Sequence, residues 1–261
     1  MVSSYEFFLL IGSIAGFLAG LLGVGGGVVL VPILAWIFYT DQIVAPDNLM
    51  QVVIGTTLAT IVITSIASII AHHRHKAVLW NIVWQLTPGI IIGALFGAFI
   101  ASLLPSEFLY NFFAIFILLI AIQLAFNIYP AKYRQLPNKL VIEMIGGIIG
   151  LVSSLVGIGG GSMTVPFLVW CNISVRNAIA TSAACGFPIA LAGTFGFIIT
   201  GWQYTETAHI GYIYWPALVG IAPASLLFAP LGAKVAHTIS TTILKRFFAI
   251  FLLVVGCKML M

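Results

Sequence analysis

The sequence predicts an all-α polytopic membrane protein made of two homologous halves, and three observations carry that prediction. Charge is nearly absent: 62% of the 261 residues are hydrophobic and only 6% are charged, against about 25% charged in soluble domains. A glycine cluster, Gly23-Val24-Gly25-Gly26-Gly27, returns as Gly157-Ile158-Gly159-Gly160-Gly161, with Pro32 and Pro166 at the same distance behind. Basic residues also swap sides between matching loops of the two halves. Apolar runs reach the length of about 18 residues needed to cross roughly 30 Å of hydrocarbon. They are continuous rather than alternating, which excludes a β-barrel. The start, Met1 to Glu6, has no basic stretch, so no cleaved signal peptide is expected.

Each element follows in order. Phe7–Leu22 is apolar and stops at the first glycine cluster, where each glycine costs a helix roughly 1 kcal/mol against alanine. Val28–Tyr39 comes next; at about 1.5 Å per residue it spans roughly 18 Å, enough to reach the midplane from one interface but short for a crossing. Trp36 and Tyr39 suit the aromatic belt at its outer end. Past a polar loop with Asp41, Pro46, Asp47 and Asn48 lie Met50–Ala71, Leu79–Ala101 and Phe108–Tyr129. The stretch His72-His73-Arg74-His75-Lys76 separates the first two of these.

This first membrane repeat covers residues 1–129. A basic cytoplasmic linker, residues 130–139, carries Lys132, Arg134 and Lys139. The second repeat, residues 140–261, gives Leu140–Val156, Ser162–Cys171, Val175–Thr200, Tyr212–Ala236 and Thr242–Leu260. The halves make one integral membrane domain. Their duplication extends beyond the glycines: Ile54-Gly55-Thr56-Thr57 matches Ile179-Ala180-Thr181-Ser182, and Phe112 to Phe116 matches Phe247 to Phe251 letter for letter.

Loop charge orients the halves through the positive-inside rule. The loop after Ala71 carries Arg74 and Lys76, whereas its mate after Thr200 carries Glu206 and no base. The loop with Asp41 and Asp47 has a mate with Arg176, and base-free Leu103 to Glu107 has a mate with Lys234, Lys245 and Arg246. If each half makes an odd number of net crossings and the N-terminus is outside, nine Lys/Arg fall inside and one, Lys258, outside; eight plain crossings with the N-terminus inside give six against four. The charges favour inverted repeats. Each half is then a Gly-rich broken or re-entrant helix pair followed by three transmembrane helices, with the glycines at the tip of the pair.

Irregular backbone at membrane depth survives where it is buried in protein or lines a water-filled cavity. Matching breaks in two halves of a membrane chain mark a transport site. The helices after both clusters would aim their N-termini at the midplane, each with up to four unpaired N–H groups and about half a positive charge. That is an anion site. The candidate substrate-binding residues are Gly23, Gly25, Gly26, Gly27 and Val28 in one half, and Gly157, Gly159, Gly160, Gly161, Ser162 and Thr164 in the other. The hydroxyl pairs Thr56-Thr57 and Thr181-Ser182 either line the path or bond back to helix carbonyls. The competing reading of the glycines is close helix packing.

Other features narrow the function. No Asp or Glu lies mid-segment, whereas proton-coupled carriers bury such a carboxylate. An anion leaving a negative interior gains roughly 2.3 kcal/mol per charge per 100 mV, so export or facilitated flux is favoured over concentrative uptake. The cysteines, Cys171, Cys185 and Cys257, have no metal-ligand spacing, and His72, His73 and His75 read as a topology anchor beside Arg74 and Lys76. Trp80, Trp84, Trp202 and Trp215 read as interface aromatics, and the bases form no nucleic-acid patch. No cofactor and no metal are expected. No HExxH, GxSxG or mid-segment carboxylate pair supports an enzyme.

The run Gly16-Phe17-Leu18-Ala19-Gly20-Leu21-Leu22-Gly23-Val24-Gly25-Gly26-Gly27, with Pro32-Ile33-Leu34 behind it, resembles the signature of the TauE/SafE sulfite exporter family, the toluene-sulfonate uptake permeases. Gly157 to Pro166, Val53 to Leu58 and His73 to Val78 resemble it too. The resemblance implies a multi-pass transporter of the plasma (inner) membrane for sulfite or organosulfonates, often an exporter. It also implies eight spans in two four-span halves, where the charge count favours an odd number per half. The partners expected are a small anionic substrate and the lipid bilayer. The alternative function is a membrane assembly factor with no transport activity of its own.

Overall fold

In the computed structural model, residues 2–22, 26–126, 136–204, 208–236 and 241–260 are described. They form ten α-helices: α1 (Val2–Leu22), α2 (Gly27–Thr40), α3 (Leu49–Arg74, entered through a 3-10 turn Pro46–Asn48), α4 (Trp80–Leu103), α5 (Ser106–Ala125), α6 (Lys139–Val156), α7 (Gly161–Trp170), α8 (Val175–Thr200), α9 (Trp215–Ala236) and α10 (Thr241–Leu260). Six helices among them are long and apolar enough to cross a membrane, and four shorter apolar helices accompany them. The chain is an all-α multi-pass membrane protein.

Most boundaries lie where the sequence puts them, and the reasons are local. Asn138 caps α6 by accepting from the Val141 amide (3.1 Å), and Ser174 caps α8 by accepting from Asn177 (3.3 Å). Gly157 ends α6 in the left-handed region, at φ 75°. One element was not legible: a two-residue β-hairpin pairs His209 with Tyr214 and Ile210 with Ile213 just before α9. Strands this short carry no periodic signal. The hairpin also delays α9 to Trp215, past the expected start at Tyr212.

Helix pairing repeats when the halves are exchanged. α1 packs along α9 and α4 along α6; α3 packs on α8 and α5 on α10; α4 meets α8 as α3 meets α9; α2 meets α3 as α7 meets α8. Facing residues give directions. Gly12 lies on Ile221, Gly16 on Ser225 and Phe17 on Gly232, so α1 and α9 are parallel. Gly89 lies on Glu143, Gly93 on Gly147 and Gly97 on Leu151, so α4 and α6 are parallel. By contrast Gly55 faces Phe197 and Leu58 faces Gly193, so α3 and α8 are antiparallel. α3 sits deepest, with 72% of its apolar window buried.

Two seams hold this arrangement. Between apolar helices in lipid no hydrophobic effect drives contact, so close backbone approach and interhelical hydrogen bonds must do it. In α4, Gly89, Gly93 and Gly97 stand one turn apart against backbone of α6. In the matching seam, Ser225 donates to the Gly12 carbonyl at 2.8 Å, buried between α9 and α1.

The halves are also tied by a matched pair of hydrogen bonds. Thr56 Oγ1 accepts from the Tyr214 amide (2.9 Å), at the residue before α9. Thr181 Oγ1 accepts from the Leu79 amide (3.1 Å), at the residue before α4. Each threonine is fully buried and caps the start of a helix in the other half.

Two predictions follow from these contacts. A methyl group at Gly93 would strike the Gly147 backbone, whereas one at Gly147 would meet only the Gly89 carbonyl at an ordinary 3.7 Å. Gly93→Ala should therefore cost about 1–3 kcal/mol by overpacking, and Gly147→Ala should leave thermal unfolding in detergent near the parent. Thr56→Val and Thr181→Val should each cost about 1 kcal/mol by removing the acceptor of a part-buried amide. Thr56→Ser and Thr181→Ser, keeping the hydroxyl, should recover most of that in the same measurement.

Candidate transport site

The two glycine turns meet in the interior. Gly26 takes φ 74° and Gly160 φ 78°, a left-handed conformation that glycine adopts without steric cost. Each turn doubles back on the helix before it: Gly26 lies against Ala15 and Ala19 of α1, and Gly160 against Ile149 of α6. Gly27 then abuts the Gly157 carbonyl and Ile158, so the first turn touches the second backbone to backbone. Val31 and Ile54 close over Gly157. Any side chain at Gly27 would force the turns apart.

Two short helices leave this junction, α2 with 14 residues and α7 with 10. Neither N-cap uses a side chain. In α7 the first bonds run from the Met163 and Thr164 amides to the Gly160 carbonyl (3.2 and 2.9 Å), so the Gly161 and Ser162 amides precede the helical ladder. In α2 the Val29 and Leu30 amides bond the Gly26 carbonyl, both at 3.0 Å, and Gly27 and Val28 hold the corresponding place. Pro32 and Pro166 lack the N–H that would bond the Val28 and Ser162 carbonyls. At each tip, among the described residues, two amides precede the helical ladder, and the carbonyl one residue into the helix faces a proline instead of an N–H.

Hydroxyls add to this on one side. Ser162 Oγ and Thr164 Oγ1 are buried without a hydrogen-bond partner, and Thr164 sits beside Gly160. The equivalent positions in α2, Val28 and Leu30, are apolar. Thr57 Oγ1 is likewise buried and unpartnered, while Ser182 donates to the Ile179 carbonyl at 2.8 Å. Buried hydroxyls left unmatched cost free energy and mark places where a ligand or water fits. Thr56 and Thr181 each already accept one amide bond, which leaves the hydroxyl proton and a second lone pair.

The candidate residues therefore come together in part. Gly26, Gly27, Val28, Gly157, Gly159, Gly160, Gly161 and Thr164 are buried at or beside the junction, and Gly23 and Gly25 lie outside the described residues. Among the described residues no cluster of His, Cys, Asp and Glu could hold a metal ion. His72 is buried at the end of α3, while His73 accepts from the Trp80 indole N–H at 3.1 Å. Trp36, Tyr39, Trp84, Trp202 and Trp215 are exposed, as side chains in the aromatic belt should be.

Sequence reasoning missed Thr64, Ser65 and Ser68. With Ile61, Ala19, Gly159, Ala183 and Gly186 they line a cavity of about 10 Å³ between α3 and α8. Their spacing on one face of α3 was a readable signal.

Comparison with known proteins shows the family of the chain. No solved structure matches the chain. A probable membrane transporter protein of Haemophilus influenzae is 37% identical over 96% of both chains. Others from Methanocaldococcus jannaschii and Bacillus subtilis are 32% identical over 98% of both chains, and 28% identical over 98% of this chain and 97% of theirs. Residues 8–259 match the family described as sulfite exporter TauE/SafE. With a multi-pass helical fold and a full-length match, the chain belongs to the TauE/SafE family of membrane transporters.

Proposed function

We propose that this protein moves small oxyanions, sulfite or an organosulfonate, across the plasma membrane by export or facilitated flux. The observation that carries the reading is the junction of the two glycine turns. Two helix N-termini start there, with the amides of Gly161 and Ser162 ahead of the helical ladder and the Ser162 and Thr164 hydroxyls unmatched. Such a tip favours negative charge. The description of the matched family, sulfite exporter, supports this choice of substrate class.

We further propose that the halves are inverted repeats, each entering with a re-entrant pair. The antiparallel run of α3 against α8 supports this, because these two helices are mates. So does the charge: with α3 and α8 antiparallel, Arg74 and Lys76 after α3 lie at the same end as Arg176 at the start of α8. Lys139 opens α6, which runs parallel to α4 from that same end. Alternating movement of one half against the other would then expose the junction to each face in turn.

Purified protein in proteoliposomes should carry sulfite or a sulfonate faster than empty liposomes, with selectivity among sulfite, sulfate and methanesulfonate. No anion moving above the empty vesicles would overturn transport and favour an assembly role. For topology, Arg74→Cys and Arg246→Cys, each in a chain whose own cysteines are replaced, should both label only from the cytoplasm. Labelling from opposite sides would restore eight plain crossings.

A further inference from the structure

A groove of about 640 Å³ runs between α4 and α8, away from the glycine junction. The two helices are parallel and meet at both ends of it: the Leu79 amide donates to Thr181 at one end, and Gly196 lies on Ala98 at the other. Between these contacts α4 presents Trp80, Trp84, Thr87, Ile91 and Leu95, whose spacing puts them on one helix face. α8 opposes them with Ala184, Pro188 and Ala192, which stand one turn apart and are too small to fill the space. Trp84, Ile91, Leu191 and Phe195 line the groove and are exposed, so it opens sideways to the bilayer.

Its walls suit hydrocarbon. Thr87 has the only hydroxyl among the lining residues, and it donates to the Val83 carbonyl at 2.7 Å. From Trp80 to Leu95 the α4 wall is roughly 22 Å long at about 1.5 Å per residue. One leaflet of hydrocarbon is about 15 Å deep, half of a core of roughly 30 Å. A lipid chain fits lengthwise.

The Trp80 end of the groove is basic. The Trp80 indole N–H donates to His73 Nδ1 at 3.1 Å, and the two rings meet edge to face at 5.7 Å, which holds the turn after α3 against the mouth. Accepting on Nδ1, His73 keeps its Nε2–H as a donor. Arg74 and Lys76 follow, both exposed. Four helices have an end here, α3, α4, α6 and α8, and the single acid among them is Glu143, paired with Lys139 at 3.7 Å. Asp41, Asp47 and Glu107 lie at the opposite end, around the start of α3. No acid in these four helices is left to neutralise Arg74 and Lys76.

We propose that the groove holds one chain of an anionic phospholipid, with the phosphate on the basic turn His73 to Lys76. Basic residues beside a slot between membrane helices select anionic headgroups. A zwitterionic lipid would bury the same chain without the net charge contact, so preference for the anionic headgroup is the signature of the site. A second copy of the chain, paired about a two-fold axis along the membrane normal, would bring like charge to this end instead. The groove lies outside the glycine junction, and its occupant does not depend on what the junction transports.

The test titrates the full chain in detergent with phosphatidylglycerol or phosphatidylcholine of identical chains and counts bound lipid by native mass spectrometry. One phosphatidylglycerol per chain should bind about thirtyfold more tightly than phosphatidylcholine, the factor that two basic residues near an anionic headgroup supply. Arg74→Gln combined with Lys76→Gln should bring the two lipids level, with thermal unfolding in the absence of added lipid unchanged. Thr87→Phe, which fills the groove, should abolish saturable binding of both lipids, and Thr87→Val, close to threonine in volume, should bind like the parent. Equal affinity of the parent for both lipids would overturn the proposal. So would parent-like binding in Thr87→Phe, or a dimer whose formation excludes the lipid. Each result is read without transport, so failure of the oxyanion reading would leave the lipid site standing.

Discussion

The approach of Gly27 to the Gly157 carbonyl is the constraint that sets how the two halves meet in the interior. It brings two turns from separate halves together inside a bundle that has no hydrophobic effect to press helices together in lipid. The helices before the turns, α1 and α6, must each reach across to the other half, which they do along α9 and α4. The helices after them, α2 and α7, must start at the junction and lean on α3 and α8. Glycine is required because a side chain at the meeting point would occupy the neighbouring backbone. The same backbone closeness turns helix ends toward a shared interior point, so the packing and the proposed anion site rest on one geometry.

The packing reading of the glycines and the proposed ligand reading are compatible. Gly89, Gly93 and Gly97 in α4 only pack, against α6. Gly160 both packs, against Ile189 and Ile149, and caps α7 at the junction. What separates the classes is backbone direction: the α4 glycines lie in continuous helix, whereas Gly26 and Gly160 sit in the left-handed region where a helix begins.

Much of this was legible in the sequence because lipid enforces regular structure. Val175–Thr200 runs as read, and the short segments after both clusters differ from α2 and α7 by one residue at each end. The duplication also announced the exchange symmetry of the helix pairs. What could not be read is which residue lies across from which. The pairs Thr56-Thr57 and Thr181-Ser182 read as lining a path or bonding back to helix carbonyls; only the fold sets Tyr214 against Thr56 and Leu79 against Thr181. The four-residue spacing of Gly89, Gly93 and Gly97 was a signal of close packing that the larger glycine clusters overshadowed.

In the proposed site both glycine turns bind the anion together. Hydrogen–deuterium exchange of the purified protein, with and without sulfite, reads this directly at the amides of residues 26–30 and 159–164. Slower exchange in both segments on adding sulfite, with segments at the protein surface unaffected, is the predicted result. Unchanged exchange in both, under conditions where sulfite crosses proteoliposomes, would contradict it.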